Sequence, residues 1–548
     1  MKQDKPSPKR YWWFWVIGLF ALLWVLVRSG TNPKRLTYPC QQAAFPLASA
    51  WVIAVIGLLG GGLFFKKLKR ISAVAAVLAG VVFLGVSTGR QAVVPEILPV
   101  WEADNPVSTV FVMNDIPVTS GSLAPGDASV PDEYLSDPAM DTLLAIMEAK
   151  DVFLHKTAGH SEGIVGSEDV VIIKGNFQWT SRNTTSTDRI KGLIWQILNH
   201  PDGFSGEIII CDNTQEIGTG IGENDNNSED KAQSIPDVVD VFHAKGYPVY
   251  YRSWADMWNI VVDEYSEGNN SNGYTYDYET KVSYPKFRSP SGDYYISLRY
   301  GLWDPESEIY EADKLCIIDF PVLKAHSLAG ATIALKNWIG VLTTAYYNER
   351  YGSRNSMHSS YFWGDYALVA RVMEVTYPRL TIIDAAWTTT EGPINLTNVV
   401  QTNMLLASQD PVASSWYAAK FILTPIANNP NQTNPDYEGS KYNTALGNWT
   451  NYLRGEAGLP CTKDSAEISV YDREVLAEEP GLIEAGPPPG FFELESIYPN
   501  PFSTQTTIRY SIAESLEVNL DIIDASGRIV RSLAEGPRVS GHYSVTWD

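Results

Sequence analysis

Cysteine is scarce in this chain of 548 residues. Its four cysteines, Cys40, Cys211, Cys316 and Cys461, lie far apart in the sequence. No pair has the Cys-x-x-Cys spacing of a zinc or iron–sulfur site, and the count is too low for a disulfide scaffold. Disorder is also excluded as a global state, because 45% of the residues are hydrophobic and can bury a large core.

Basic residues are scarce beyond residue 100. The first 100 residues hold 12 Lys and Arg against two carboxylates, whereas the other 448 hold 29 against 61. A body this acidic repels a phosphate backbone, so no nucleic-acid partner is expected.

The basic end of the chain contains three apolar runs without charge, at residues 11–27, 43–65 and 71–86. The first two are long enough to span a bilayer, and the third is near the lower limit. Residues 1–92 are therefore predicted to be a membrane anchor with three transmembrane helices. The distribution of Lys and Arg around them favours a cytoplasmic N-terminus, which places the acidic body in the periplasm, on the cytoplasmic (inner) membrane. If only two runs span, the body lies in the cytoplasm.

Beyond the anchor, strands and helices alternate. Short β-rich runs near residues 110–113, 170–174, 207–211, 248–251, 315–320, 380–384 and 404–408 are separated by helical patterns, including helices within 327–340. This alternation predicts an α/β fold over residues 101–455, with a mostly parallel sheet and helices on both faces. A Tyr-rich segment near 260–300 is predicted to be an antiparallel insert or a surface loop.

The C-terminal part changes character twice. Residues 456–490 are acidic and contain three consecutive prolines, which predicts a stiff extended linker. Residues 491–548 alternate apolar and polar positions in short runs between turn residues, which predicts a small all-β module.

Ligands of open parallel sheets bind beyond the carboxyl ends of the strands, so the polar residues that end each strand are the candidate site residues. These residues are Lys174 and Asn176, Asp212 and Asn213, Lys324 and His326, and Asp384. Residues 320–348 contain no carboxylate, although about four are expected at the average frequency of the acidic body.

This carboxylate-free segment also holds Thr332, Lys336 and Asn337, and its composition favours a site for a small anionic molecule, a carboxylate or a phosphate. The expected helix would place Thr332 and Lys336 on one face. The alternative is a buried apolar helix face whose lysines reach out to water.

Three residues are candidates for proton transfer: His326, Asp212 and Asp384. Neighbouring cations would keep His326 neutral and able to act as a general acid or base. Each aspartate could instead cap its strand end by accepting turn amides. Metal binding by these residues with His358 is a further alternative, although no His-Glu-x-x-His spacing supports it. Asp410 before Pro411 is a typical helix N-cap.

The run FPVLKAHSLAGATIALKNWIGVL resembles the signature of the domain of unknown function 362 family, K-x-H-x-x-x-G-x-T-x-x-L-K-N. The segments VVIIKGNF, EIIICDN, LTIIDA and LLASQDPVASSWYAA are similar to other parts of the family pattern, and the resemblance extends over roughly residues 110–423. It marks the following positions as site residues: Lys174, Asn176, Asp212, Lys324, His326, Gly330, Thr332, Lys336, Asn337, His358, Asp384 and Asp410. The family has no assigned reaction, so the resemblance implies no particular cofactor.

The tail resembles a second family. The segments YPNPF, DIIDASGRIVRSL and GHYSVTWD are similar to the Ig-like sorting modules of type IX secretion substrates, with the last strands missing. Together these patterns predict a bacterial membrane-anchored, extracytoplasmic α/β protein that acts on a small anionic substrate. The alternative is a ligand-binding or sensing module without catalysis, so whether the chain is an enzyme stays open.

Overall fold

A computed structural model describes residues 98–116, 130–178, 184–214, 233–343, 364–392, 398–477, 482–484, 492–498, 506–513, 516–523, 528–538 and 541–547, with the single residues 20, 95, 182 and 221. The chain divides into two units, Met1–Gln91 and Ala92–Asp548. Apart from the single residue 20, the three predicted spans lie outside the described residues, and so does His358. Among the residues that are described, no helix combines the length and the apolar character needed to cross a membrane.

The strands of the central domain are, in chain order, β1 (Ser108–Met113), β2 (His155–Lys156), β3 (Val165–Gly166), β4 (Val170–Lys174), β5 (Glu207–Asp212), β6 (Val249–Ser253), β7 (Gly273–Tyr276), β8 (Ser283–Arg288), β9 (Tyr295–Ser297), β10 (Gly301–Asp304), β11 (Ile309–Glu311), β12 (Leu315–Asp319), β13 (Val322–His326), β14 (Gly330–Thr332), β15 (Leu380–Thr389), β16 (Val399–Ser408) and β17 (Ile468–Tyr471).

The α-helices are α1 (Pro138–Glu148), α2 (Thr187–Leu198), α3 (Ile235–Ala244), α4 (Ala334–Asn337), α5 (Leu368–Val375), α6 (Pro411–Tyr417), α7 (Thr424–Ile426), α8 (Pro430–Thr433), α9 (Lys441–Thr450) and α10 (Glu474–Ala477). Wider π-helical turns follow α6 and α9, at Ala418–Leu423 and Asn451–Glu456. Short 3₁₀ helices lie at Asp132–Tyr134, Trp254–Met257, Tyr265–Glu267, Ala312–Lys314, Trp338–Gly340 and Ser465–Glu467.

The helix starts follow from their capping residues. Asp137 precedes Pro138 and accepts a bond from the Ala139 amide, and Ser186 caps α2 through the Arg189 amide. Asp410 accepts a bond from the Val412 amide at the start of α6, as the Asp-Pro pair predicted.

The large sheet has the strand order β17-β1-β16-β15-β12-β4-β5-β6, with the β13–β14 hairpin attached to β15. The pairs from β15 through β12, β4 and β5 to β6 are parallel, whereas β16 is antiparallel to both β15 and β1. The fold is therefore mixed α/β rather than uniformly parallel, because β15 connects directly back to β16 without a crossover helix.

The sheet has a hydrophobic core on each face. Val170 and Ile172 of β4 belong to one buried cluster, and the alternate residues Val171 and Ile173 belong to another. A strand buried on both sides has such a continuous apolar sequence, which explains the run VVII.

The Tyr-rich segment forms a five-stranded antiparallel sheet, β7 to β11. The prediction of a linker over residues 456–490 is wrong for Ile468–Tyr471, which pair with β1 as an edge strand of the large sheet. Ile468 and Val470 are buried, so the acidic composition of the segment concealed a core strand.

The prediction of helices within 327–340 is also wrong for its first half. Residues 330–332 form β14, and the α-helix covers only Ala334–Asn337. Gly330 has a φ of +85°, and a Cβ at this position would overlap the backbone carbonyl oxygen of Gln432. The chain therefore turns at this glycine instead of continuing a helix.

The tail forms a small all-β module with strands β18 (Leu482–Glu484), β19 (Glu493–Tyr498), β20 (Thr506–Ile512), β21 (Leu516–Ile523), β22 (Ile529–Arg538) and β23 (Gly541–Trp547). β18, β23, β20 and β19 form one sheet, and β21 pairs with β22. β18 lies within the predicted linker, so the module begins earlier than residue 491.

Candidate functional site

Three parallel strands bring their last residues to one edge of the sheet. Asp319 of β12 pairs with Lys174 of β4, and β4 is in register with β5, which ends at Asp212. All three side chains are buried. Charged groups removed from water in this way need partners, and the strand register supplies them.

Lys174 and Asp212 form a buried ion pair with Nζ to Oδ1 at 2.8 Å. The Lys174 ammonium also donates to the Gly175 carbonyl at 2.8 Å and to Asn337 Oδ1 at 3.1 Å. Asp212 accepts backbone amides from Asn213 and Phe177, both at 2.9 Å. Because these contacts occupy all three ammonium donors and both carboxylate oxygens, the pair is rigidly held.

Two asparagines connect Lys324 to Asp319 in a row of hydrogen bonds, which we call the amide row. Lys324 Nζ donates to Asn176 Oδ1 at 2.8 Å, and Asn176 Nδ2 donates to Asn337 Oδ1 at 2.8 Å. Asn337 Nδ2 then donates to Asp319 Oδ1 at 2.7 Å. Every donor in the row faces the same way, so both amides have one defined orientation.

The side chains of Lys324 and Lys336 are both buried. Burial lowers the pKa of Lys324 well below its usual range, and repulsion from Lys336 lowers it further. Burial, followed by repulsion from Lys174, lowers the pKa of Lys336 to about 7. Within the part of the chain that the structure describes, the Lys336 amino group makes no hydrogen bond or ion pair.

Asp319 belongs to the site although the sequence analysis did not select it. Burial raises the pKa of its carboxyl group to about 7, and the hydrogen bond from Asn337 and the charge of Lys174 oppose this rise. Its Oδ2 atom has no hydrogen bond among the described residues. The signal was present, since Asp319 ends a buried strand just as Asp212 does.

Thr332 lies on β14 opposite Lys324 of β13 rather than on a helix face with Lys336. Its hydroxyl is buried and has no hydrogen-bond partner in the described parts of the chain. A buried hydroxyl without a partner is costly, so this group is available to a ligand that reaches the hairpin.

Asp384 and His326 accept backbone amides. Asp384 accepts from Ser186 at 2.8 Å and from Ala386 at 3.1 Å, which ties β15 to the start of α2. His326 Nδ1 accepts from Leu328 at 3.1 Å and Ala329 at 3.2 Å, within the β13–β14 turn. These bonds place the ring proton of a neutral His326 on Nε2.

Gly340 lies directly against the ion pair. A Cβ on this residue would be 2.6 Å from Lys174 Nζ and would overlap Asp212 Oδ1 as well. The Gly340 carbonyl also accepts the Asn213 amide at 3.1 Å. The segment after α4 can close over the strand ends only because residue 340 has no side chain.

The structure therefore brings together Lys174, Asn176, Asp212, Lys324 and Asn337, with Lys336 as their electrostatic neighbour. No cluster of three or more His, Cys, Asp or Glu side chains suited to a metal ion occurs among the described residues. Cys211, Cys316 and Cys461 are buried free thiols. What the arrangement offers chemically is a group of amines and amides that donate hydrogen bonds.

The fold and the site define a mixed α/β domain in which lysine and asparagine side chains meet at the carboxyl ends of the strands. Residues 303–420, which include β12 to β16 and α4 to α6, match the model of the domain of unknown function (DUF362). Residues 496–539 match the secretion system C-terminal sorting domain. Both resemblances are confirmed, the first over a shorter segment than the expected residues 110–423. No curated protein and no solved structure matches the chain.

Proposed function

We propose that the carboxyl edge of the large sheet binds a small anion, a carboxylate or a phosphate, and that the chain is an enzyme acting on it. The observation that carries the proposal is the grouping of buried lysines among the described residues. Lys174, Lys324 and Lys336 are close enough to repel one another, and burial together with this repulsion lowers the pKa of Lys324 and Lys336. A bound anion would stabilise the protonated form of these lysines.

Asn176, Asn337, Thr332 and the lysines would hold the anion, while His326, Asp212 or Asp384 would transfer a proton. His358 remains a proposed ligand-binding residue outside the described part of the chain. A binding or sensing module is the second candidate function, and it is favoured by the backbone bonds of Asp212, Asp384 and His326, which suit residues that hold position.

The location of this activity is also part of the proposal. The sorting-domain match supports export from the cytoplasm. Together with the apolar runs at the N-terminus, it supports a membrane-associated protein whose acidic body lies in the periplasm.

Titration calorimetry of the full chain in detergent, with phosphate and with oxalate as probes, tests the anion site. The variant Lys336→Met should bind about 10-fold to 100-fold more weakly, since a hydrogen bond to a charged group contributes about 1.5–3 kcal/mol. Lys314→Met is the matched control, because it removes the same charge from an exposed position. Equal affinities in all three proteins would refute the proposal.

The variant His326→Gln separates the two candidate functions. If His326 transfers a proton, its loss leaves oxalate binding intact, whereas a purely binding role predicts a parallel loss of affinity. Mass spectrometry of a molecule that copurifies with the full chain would identify the natural ligand.

A further inference from the structure

We propose that the Lys336 amine forms a Schiff base with the carbonyl carbon of a small anionic carbonyl compound, a 2-oxo acid. This inference rests on the proposed anion site and assigns its substrate class. It follows from the different contacts of the three lysines in one buried cluster.

Lys174 is unsuited to attack a carbonyl carbon. Its ammonium is held by Asp212, Asn337 and the Gly175 carbonyl, so all of its donors are used. Lys324 donates to Asn176 and thereby sets the direction of the amide row. Losing that bond would disturb both asparagines.

Lys336 differs from both. In the described part of the chain its amino group has no hydrogen-bond acceptor. The residue is buried, with 7% of its surface exposed. The next residue, Asn337, is fixed at both ends of its amide by Lys174, Asn176 and Asp319. The backbone that carries Lys336 is therefore held in place, while no hydrogen bond within the described residues occupies the amine.

The electrostatics suit a nucleophile. An amine attacks a carbonyl only in its neutral form, and burial with a cationic neighbour produces that form near neutral pH. The same cations attract the carboxylate of a 2-oxo acid. The probe would thus bind through its carboxylate to Lys324 and present its carbonyl carbon to Lys336.

The step balances without an added oxidant or reductant. The nitrogen lone pair forms a bond to the carbonyl carbon, and the oxygen takes a proton to give a carbinolamine. The carbinolamine loses its hydroxyl group with a second proton as water, which leaves a carbon–nitrogen double bond. Protonation of that nitrogen gives an iminium, an electron sink for bond cleavage at the adjacent carbon.

Borohydride trapping of the full chain with pyruvate or glyoxylate tests this step, because hydride reduces the imine to a stable secondary amine. Trypsin does not cleave after a modified lysine. An adduct on Lys336 therefore joins the peptides 325–336 and 337–350, whereas an adduct on Lys324 joins 315–324 and 325–336. Mass spectrometry distinguishes the two products.

We expect the Lys336 adduct, in which peptides 325–336 and 337–350 stay joined. It should be at least 10-fold more abundant than any other lysine adduct, and excess oxalate should suppress it. An adduct on Lys324, adducts only on exposed lysines such as Lys314, or no adduct would each overturn the inference. If oxalate and phosphate still bind in that case, the anion site survives, whereas loss of their binding as well refutes both proposals.

The variant Lys336→Arg keeps a cation but cannot form an imine. It should abolish trapping and retain oxalate binding within about tenfold, while Lys314→Arg should trap pyruvate like the parent chain. If Lys336→Arg does not fold, the position of the adduct in the unmodified chain still decides the question.

Discussion

The three lysines at the carboxyl edge of the sheet have very different surroundings. Lys174 is completely hydrogen-bonded, Lys324 is tied to Asn176, and Lys336 has no partner among the described residues. Identical side chains thus acquire different acid–base properties from burial and neighbouring charge. At this scale the site is defined by contacts that residue type alone does not reveal.

Lys336 should make stability depend on pH. Its pKa is about 7 in the folded chain and about 10.5 in the unfolded chain, so the unfolded chain binds more protons between these values. The free energy of unfolding therefore gains a contribution that increases as pH rises above 7, by at most about 1.4 kcal/mol per pH unit. Urea unfolding at several pH values should show a smaller increase for Lys336→Met than for Lys314→Met. If the free energy of unfolding changed equally with pH in the two variants, the lowered pKa of Lys336 would be contradicted.

Gly340 should tolerate no side chain. In Gly340→Ala the new methyl group would overlap the Lys174–Asp212 ion pair, with an expected loss of about 1–3 kcal/mol in the free energy of unfolding. Gly455→Ala is the control, because no atom lies within 4 Å of its Cβ position and it lies in a helical segment. Urea denaturation should show the control unchanged or more stable, and a neutral Gly340→Ala would show that the ion pair can shift.

At the scale of elements, the β13–β14 hairpin and the edge strand β17 show which elements the sequence pattern could predict and which it could not. The apolar runs of β4, β5 and β12 were predictable, because strands buried on both faces need continuous Val and Ile. β17 was not, since Ile468 and Val470 are isolated in an acidic segment and only their pairing with β1 buries them. Asp319 needed the register of β12 against β4, and Thr332 needed the turn at Gly330.

Removing β17 should destabilise the central domain. A chain ending at residue 455 loses the buried side chains of β17, including Ile468 and Val470, together with the Thr462 amide that binds Asp410 at 2.9 Å. We expect a loss of at least about 3 kcal/mol, since burying each of these side chains contributes about 1.5–3 kcal/mol. A chain ending at Ala477 retains β17 and serves as the reference. Coincident urea midpoints of the two chains would show that β17 does not support the fold.

At the scale of the whole molecule, the site is a cationic group inside a chain with a net charge of −22. The surrounding carboxylates repel an approaching anion over distances longer than any contact in the site. They therefore oppose its entry, while Lys324 and Lys336 retain it once bound.

This opposition predicts an unusual salt response. Screening should speed the association of oxalate as ionic strength rises towards ~0.1 M, where the Debye length is ~10 Å. A cationic surface site would show the reverse. Stopped-flow association rates measured in both chloride and glutamate salts would separate screening from competition for the site, and a falling rate in both salts would contradict the prediction.

The amide row has a consequence for what can replace its members. A protonated Lys324 can only donate hydrogen bonds and an ionised Asp319 can only accept them, so in these protonation states the row has a single direction, from lysine to carboxylate. Leucine at position 176 or 337 would interrupt the line, and aspartate would place acceptor against acceptor at one junction. Both carbonyl oxygens of the row therefore point toward Lys324, and both amide nitrogens point toward Asp319.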